Sequence, residues 1–406
     1  MLLLTTAYCR LHQTLRRAGM RPPKGQMAEE GASSIFAAAQ LIRANRLGKP
    51  LVILGAGTER WQERLFRSLR ESDIPYAVWD RLSAVPTADD AENIRLYWIG
   101  EGCACFLVLG DGAALDIAKT AAARAARPGR SVMSMVGRGR LHRKKTPPVI
   151  VIPTATGAGA EALGSADFSD GRGNTFTVSD RSLIPAYAVL DPELLEDMPR
   201  EVLARNAAEG LSLAVEAYCS GYADDAARHA AAEAVRGFFE AVEPCWNSGG
   251  STRQRSILLN ASRRAGEAAS RAGFGYVRAM SRAVSRVCGI SPGDACAVFL
   301  PICLEKYGKH AEPMLAALAE EAEVCAEGTR TEKAAALIER IRRMTFCIGL
   351  PDTLEEISDS NMDEIADLTV LEANPRYAAP AVWEAAQCAS VLRVACGMPE
   401  KNAGKG

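Results

Sequence analysis

Two glycine-bearing turns hold the residue types best suited to chemistry in this chain. The first, Gly110-Asp111-Gly112-Ala-Ala-Leu-Asp116-Ile-Ala-Lys119, follows the apolar run Cys105–Leu109 and opens an Ala-rich stretch. Glycines between a strand and a helix let a phosphate approach the backbone. The free N–H groups at the helix start add the positive end of its dipole. The second turn, Pro153-Thr154-Ala155-Thr156-Gly157-Ala158-Gly159-Ala160-Glu161, follows the run Val149–Ile152. Either turn alone is a common connection. Two of them, about forty residues apart in one sheet, can line a single dinucleotide cleft at the carboxyl ends of the strands. The plainer alternative keeps Gly110, Gly112, Asp116, Thr154 and Gly157 for turn geometry and helix capping only.

Other candidate clusters read as structural. Arg138 to Lys145 packs five Arg or Lys and His142 into eight residues ahead of an apolar strand. No aromatic residue interleaves with it, so a solvated turn is preferred over a nucleic-acid or anion site. Cys103 and Cys105 have the spacing of strand neighbours on one face, which favours burial over a metal or redox role. None of the twelve cysteines forms a CxxC pair. In a chain of this length they fit reduced, buried thiols.

The elements that must position these turns are of two kinds. From about Leu51 to Asp191, short apolar runs (Leu51–Leu54, Tyr76–Trp79, Cys105–Leu109, Val132–Val136, Val149–Ile152) alternate with helical stretches. That pattern predicts a mainly parallel sheet covered by helices on both faces. From about Glu193 onward the periodicity is helical, with Asp224–Val242, Ser256–Ala272, Pro313–Glu327 and Thr331–Phe346 as long Ala-rich periods. The expected organisation is an extension over 1–30, an α/β dinucleotide-binding (Rossmann-like) domain over 31–192, and an all-helical domain over 193–406. Arg21-Pro22-Pro23-Lys24-Gly25 marks the extension as loosely attached.

Composition limits the rest. The 406 residues are 48% hydrophobic and 24% charged, with 48 basic against 49 acidic side chains, as in an ordinary folded protein. This balance draws the chain to neither nucleic acid nor an acidic membrane. The apolar start, Met1 to Tyr8, lacks a basic lead, and no membrane-length apolar run follows, so a cytoplasmic protein is expected.

The order of Gly110–Lys119, Pro153–Glu161, Asp191-Pro192-Glu193-Leu194, Leu211–Tyr218, Gly273–Pro301 and Asn374-Pro375-Arg376 resembles the iron-containing (group III) alcohol dehydrogenase family. The resemblance runs from about Gly31 to Met398. It implies the dehydroquinate synthase-like fold of that family, with an active site between an α/β and a helical domain. It also implies hydride transfer between a primary alcohol and NAD or NADP, with a divalent metal, usually iron, polarising the alcohol oxygen.

This chain departs from the family pattern at every metal ligand. The Asp position holds Glu209, the His four residues later is Leu213, and the two later His positions are Arg278 and Pro292. A further family His near the reacting carbon is Arg282. Leu213 and Pro292 have no side-chain donor, and Arg278 cannot lose its proton to become one. Iron or zinc is therefore not expected; Asp294 is a conceivable but disfavoured substitute donor. The nucleotide turns have drifted too. Asp111 and Ala113 stand where the family has Gly and Ser, Thr175 replaces a cleft Lys, and Gly55 replaces the acidic residue that reads the ribose. Asp111 should repel pyrophosphate and weaken NAD(P).

Two readings follow. In one, the protein is an alcohol or aldehyde oxidoreductase working without metal, Arg278 or Arg282 hydrogen-bonding the reacting oxygen. In the other it is a non-catalytic homologue, a pseudoenzyme acting as a binding or assembly module, for example as the partner of an active paralogue. Arg278 and Arg282 lie one helical turn apart and could bind a small anion, or simply pair with Glu209. The expected arrangement is Glu209 on Arg278, with Arg282 available to a ligand. Family analogy sets a homodimer as the default.

Overall fold

The computed structural model describes residues 2–18, 25–83, 85–141, 144–172 and 174–398. The chain begins α1 (Leu2–Ala18), β1 (Met27–Glu30), α2 (Ala37–Ala44), β2 (Pro50–Leu54) and α3 (Glu59–Glu71). It continues β3 (Ala77–Trp79), α4 (Ala88–Gly100), β4 (Cys105–Gly110) and α5 (Gly112–Ala125). Then come β5 (Gly137–Arg138), β6 (Val149–Pro153), β7 (Ser165–Ser169), β8 (Thr175–Ser179) and β9 (Tyr187–Leu190). Helices follow: α6 (Arg200–Cys219), α7 (Asp225–Ser248), α8 (Thr252–Ala272), α9 (Tyr276–Cys288) and α10 (Pro292–Tyr307). The last are α11 (Glu312–Glu321), α12 (Arg330–Cys347), α13 (Met362–Ala373) and α14 (Ala385–Ala395). The chain divides into two units. One holds all the strands, α2 to α5 and Gly249–Gly266; the other holds α1, Arg200–Ser248 and residues 267–398.

In the α/β unit the main sheet has the order β1-β9-β6-β4-β2-β3, and its pairs are parallel. Every residue of β2, β4 and β6 is buried, because helices cover both faces. Phe106 and Val108 face one core with Ile117 and Ala121 of α5. Leu107 and Leu109 face the other with Trp61 and Leu65 of α3. From β2 the chain builds outward to β3 and then returns to place β4 on the other side. That reversal opens a crevice at the carboxyl ends of β2 and β4. A second sheet has the order β5-β8-β7.

The α/β sheet and the helical C-terminal half follow the sequence reading, with local differences, and the extension expected over 1–30 also supplies β1, an edge strand of the main sheet. Val132–Val136 is not a strand: Met133–Met135 is a single 3-10 turn, with Val132 and Met135 buried and Met133 exposed. The Ser131 hydroxyl accepts the Ser134 N–H at 3.2 Å and starts that turn. The helix expected over Pro313–Glu327 ends at Glu321, where Glu323 takes a φ of 59°. The extension expected to be loose contains α1, which is hydrogen-bonded to the helical unit; Arg10 donates to Ala379 O at 3.0 Å and Pro380 O at 2.7 Å. Its Arg21–Lys24 stretch lies outside the described residues. Finally, Gly249–Gly266 groups with the α/β unit instead of the helical one.

The basic run is a pinned turn. Arg127 donates to Leu141 O at 2.8 Å and to Lys144 O at 2.9 Å, while Arg140, Lys144 and Lys145 are exposed to solvent. His142 and Arg143 lie outside the described residues.

Candidate functional site

The two glycine turns lie side by side in the α/β unit. Gly110 ends β4 and Thr154 follows β6; the Thr154 N–H donates to Gly110 O at 3.0 Å. Gly110 also abuts Gly55, the residue after β2. A Cβ on Gly110 would sit 2.8 Å from the Ala114 Cβ and 3.0 Å from the Gly55 Cα. Two strand ends and a helix start thus meet without room for a side chain, at the crevice where open α/β sheets bind ligands.

Asp111 occupies the helix start itself. It is the N-cap of α5, and its Oδ1 accepts the Ala114 N–H at 3.1 Å. The sequence reading treats Asp111 as a charge that repels phosphate. The structure adds that this carboxylate already takes one of the donors a phosphate would use.

Several other candidate cofactor residues are turned inward. Lys119 is fully buried; its Nζ donates to Asp116 Oδ1 at 3.1 Å, to Ser165 O at 3.2 Å and to Ala160 O. Asp116 Oδ2 accepts the Asp167 N–H at 3.0 Å, so both of its oxygens hold β7 and the second turn in place. Burial raises the Asp116 pKa, and the adjacent Lys119 ammonium counters that. Thr156 is buried and donates to Leu258 O at 3.1 Å. The N–H groups of Gly157 and Gly159 both donate to Ser262 Oγ, at 3.0 and 3.1 Å. Gly159 has a φ of 70°, and a Cβ on Gly266 would stand 2.2 Å from its carbonyl oxygen. The second turn is therefore locked onto α8. Asp111, Gly112 and Thr154 remain at the rim of the crevice, all three half-buried. Thr175 opens β8 and is exposed.

The implied metal-ligand positions lie in the helical unit. Glu209 and Leu213 are on α6, Arg278 and Arg282 on α9, and Pro292 is the first residue of α10. Leu213 is buried in the apolar core. Pro292 is suited to a helix start because it lacks the N–H that would be unbonded there. Its carbonyl accepts the Ser281 hydroxyl at 3.1 Å. These residues do not fit a divalent metal: Glu209 alone has a ligating side chain. Two unit charges 4 Å apart interact by about 4 kcal/mol at an effective dielectric near 20, and a dication facing Arg278 would double that repulsion. Among the described residues no group of three or more His, Cys, Asp or Glu could hold a metal ion. Asp294 is held by Arg205, whose Nε lies 3.1 Å from both of its oxygens.

Cys296 on α10 senses both Glu209 and Arg278. Burial pushes its thiol up to about 12, with Glu209 adding to the rise and Arg278 opposing it. The Arg278 guanidinium stacks over the Phe274 ring at 5.4 Å. Arg282 is not left to a ligand as expected. Its Nε lies 3.3 Å from Glu372 Oε2 on α13, and the Tyr377 hydroxyl donates to Glu372 Oε1 at 2.8 Å. An acid ninety residues away in sequence satisfies it, which helix spacing alone could not reveal.

One organising residue was missed. Glu216 on α6 is buried and accepts the N–H groups of Val277 at 2.7 Å, Gly275 at 3.0 Å and Arg278 at 3.3 Å. It caps α9 from a neighbouring helix. A Cβ on Gly275 would fall 2.3 Å from its Oε1. Burial pushes its carboxyl up to about 7 against the three N–H donors and Arg278. The available signal was a lone Glu inside the apolar run Leu213–Tyr218, where an acid needs a dedicated partner.

Comparison with known proteins gives the family. The model of the family described as iron-containing alcohol dehydrogenase matches residues 29–192, and its C-terminal model matches residues 206–396. The chain is 26% identical over 317 residues to a 1,3-propanediol dehydrogenase of Citrobacter freundii, covering 77% of this chain and 81% of that protein. Among solved structures, an alcohol dehydrogenase from Oenococcus oeni superposes with a TM-score of 0.86 at 19% identity, over 93% of this chain and 100% of that one. A sulfoacetaldehyde reductase from Bifidobacterium kashiwanohense, solved in complex with NAD+, superposes at 0.81 with 19% identity, over 94% and 100%.

Proposed function

The chain belongs to the iron-containing alcohol dehydrogenase family, and from that premise we propose that it is a metal-free member in which NAD(P)-linked alcohol or aldehyde oxidoreduction is weak or lost. The observation that carries this reading is the donor set at the four implied ligand positions. Glu209 is a ligand, Leu213 and Pro292 are not, and Arg278 is a fixed cation. No step through a metal is derived for this chain, because these residues cannot hold one.

Nucleotide binding in this reading is weakened but not abolished. The crevice at Gly55 and Gly110 keeps its shape, while Asp111 opposes pyrophosphate and takes the Ala114 N–H. NAD or NADP remains the ligand class that the fold favours, with a small alcohol, aldehyde or anion as co-ligand. The alternative, a purely non-catalytic binding or assembly role, is favoured by one fact: Ser262 already satisfies the Gly157 and Gly159 N–H groups.

The test combines metal content with turnover. Protein from iron- or zinc-supplemented growth should carry well under one metal per chain and give no metal-dependent oxidation of short primary alcohols with NAD or NADP. Stoichiometric metal together with metal-dependent turnover would overturn the proposal. Metal-independent turnover would retain the enzyme reading, and NADH binding without turnover would favour the non-catalytic one.

A further inference from the structure

The N-terminal helix α1 is amphipathic the wrong way round for a surface helix. Its polar side faces the body of the helical unit: Thr5 donates to Glu384 at 2.8 Å, and Gln13 to Tyr377 O at 2.8 Å, while Arg10 and Arg16 donate to backbone carbonyls. Its apolar side faces outward. Leu4, Tyr8, Leu11 and Leu15 are 78%, 62%, 62% and 68% exposed. Ala7, Thr14 and Ala18 fill the rest of that face, and no charged residue interrupts it. The helix lies outside both stretches matched by the family models.

We infer that this face of α1 is a self-pairing surface that joins two copies of the chain as an antiparallel helix pair. The spacing of the four large residues is four, three, four, that of a coiled-coil seam. Read backwards it is the same. Under a two-fold axis Leu4 therefore meets Leu15 of the other copy and Tyr8 meets Leu11, an isologous contact in which every knob has a counterpart. A parallel pair would instead align the two helix dipoles, which is unfavourable, and would set Tyr8 against Tyr8 in place of the Tyr8–Leu11 match. The stripe offers about 500 Å² of apolar surface per copy, toward the upper end of the largest patch found on a typical monomer. The pair would bury about 1,000 Å², the lower bound for a specific interface, so its association is concentration-dependent.

The test is sedimentation velocity of the full chain from about 1 to about 100 µM, where mass action separates pair from single copy. Leu11→Glu and Leu15→Glu each place an unpaired carboxylate in the seam and should weaken self-association about tenfold or more. At the low-concentration end, where the parent is a single copy, their unfolding temperatures should match the parent's, since these side chains are mostly exposed. Tyr8→Lys should be equally disruptive, yet mixing it with Leu11→Glu should restore association, because the antiparallel register brings position 8 opposite position 11. Sedimentation of the parent and both Glu variants that superimposes at every concentration, as monomer or as any oligomer, overturns the inference. So does a mixture that stays dissociated while the parent associates.

Discussion

Replacing Asp111 tests how this chain handles nucleotide. Its carboxylate caps α5 at 3.1 Å from the Ala114 nitrogen, at the crevice where pyrophosphate would lie. A like charge at about 4 Å costs about 4 kcal/mol at an effective dielectric of 20. Asp111 is half-buried, so solvent and salt reduce this to about 1–2 kcal/mol. Asp111→Gly should therefore tighten NADH about five- to thirty-fold, while losing only a few tenths of a kcal/mol of helix stability. Asp111→Asn keeps an oxygen cap and removes the charge, so it should tighten binding without any stability loss. Fluorescence titration of NADH, run beside thermal unfolding, reads both. If neither variant binds more tightly than the parent, the crevice at Gly110 is not the nucleotide site and the electrostatic argument fails.

The pH dependence of stability should carry the signature of Glu216. Burial raises its carboxyl to about 7 in the fold, against the ordinary value of 4.5. Its contribution is thus full below about pH 4.5 and is lost as pH rises through about 7, a change of about 2–4 kcal/mol. Urea unfolding at a series of pH values should show that fall in the parent and a flatter curve in Glu216→Gln; parallel curves would mean that Glu216 does not titrate in this range. Lys119→Met should cost about 3–5 kcal/mol, because Asp116 and two buried carbonyls lose their shared donor. A melting temperature close to the parent's would show that water replaces the ammonium. Gly266→Ala should destabilise by about 3 kcal/mol or more, since its Cβ would press on the Gly159 carbonyl and neither backbone can yield. Soluble expression at the parent's stability would contradict the tight α8 contact.

The parts legible in sequence are those whose physics is local. Buried parallel strands read as apolar runs, so β2, β4 and β6 were visible. β9, Tyr-Ala-Val-Leu, carries the same signal and was overlooked, whereas the other missed strands lacked it. β1 is Met-Ala-Glu-Glu, a largely exposed edge that pairs only with β9. β7 and β8 form an antiparallel pair of mixed polarity, defined mainly by each other. At the site, helix spacing put Arg278 and Arg282 on one element, as observed. It could not supply Glu372, nor show that Thr156 and Asp116 turn inward, because those contacts span 51 to 102 residues of chain. Asp111 was half legible: an Asp ahead of Gly-Ala-Ala-Leu is a helix-cap signal as well as a charge.

Helix α8 is a single helix whose first part belongs to the α/β unit and whose remainder belongs to the other. The nucleotide-type fold is therefore not encoded contiguously. A fragment ending at Pro199 would lack Leu258, Ser262 and Gly266, the partners that hold Thr156, Gly157 and Gly159. Gene fusions, domain exchange or split-protein reassembly that cut between the halves near residue 200 would deliver a sheet with an unbraced second turn. A modular exchange of this architecture has to carry residues 249–266 along with the strands, as a discontinuous segment.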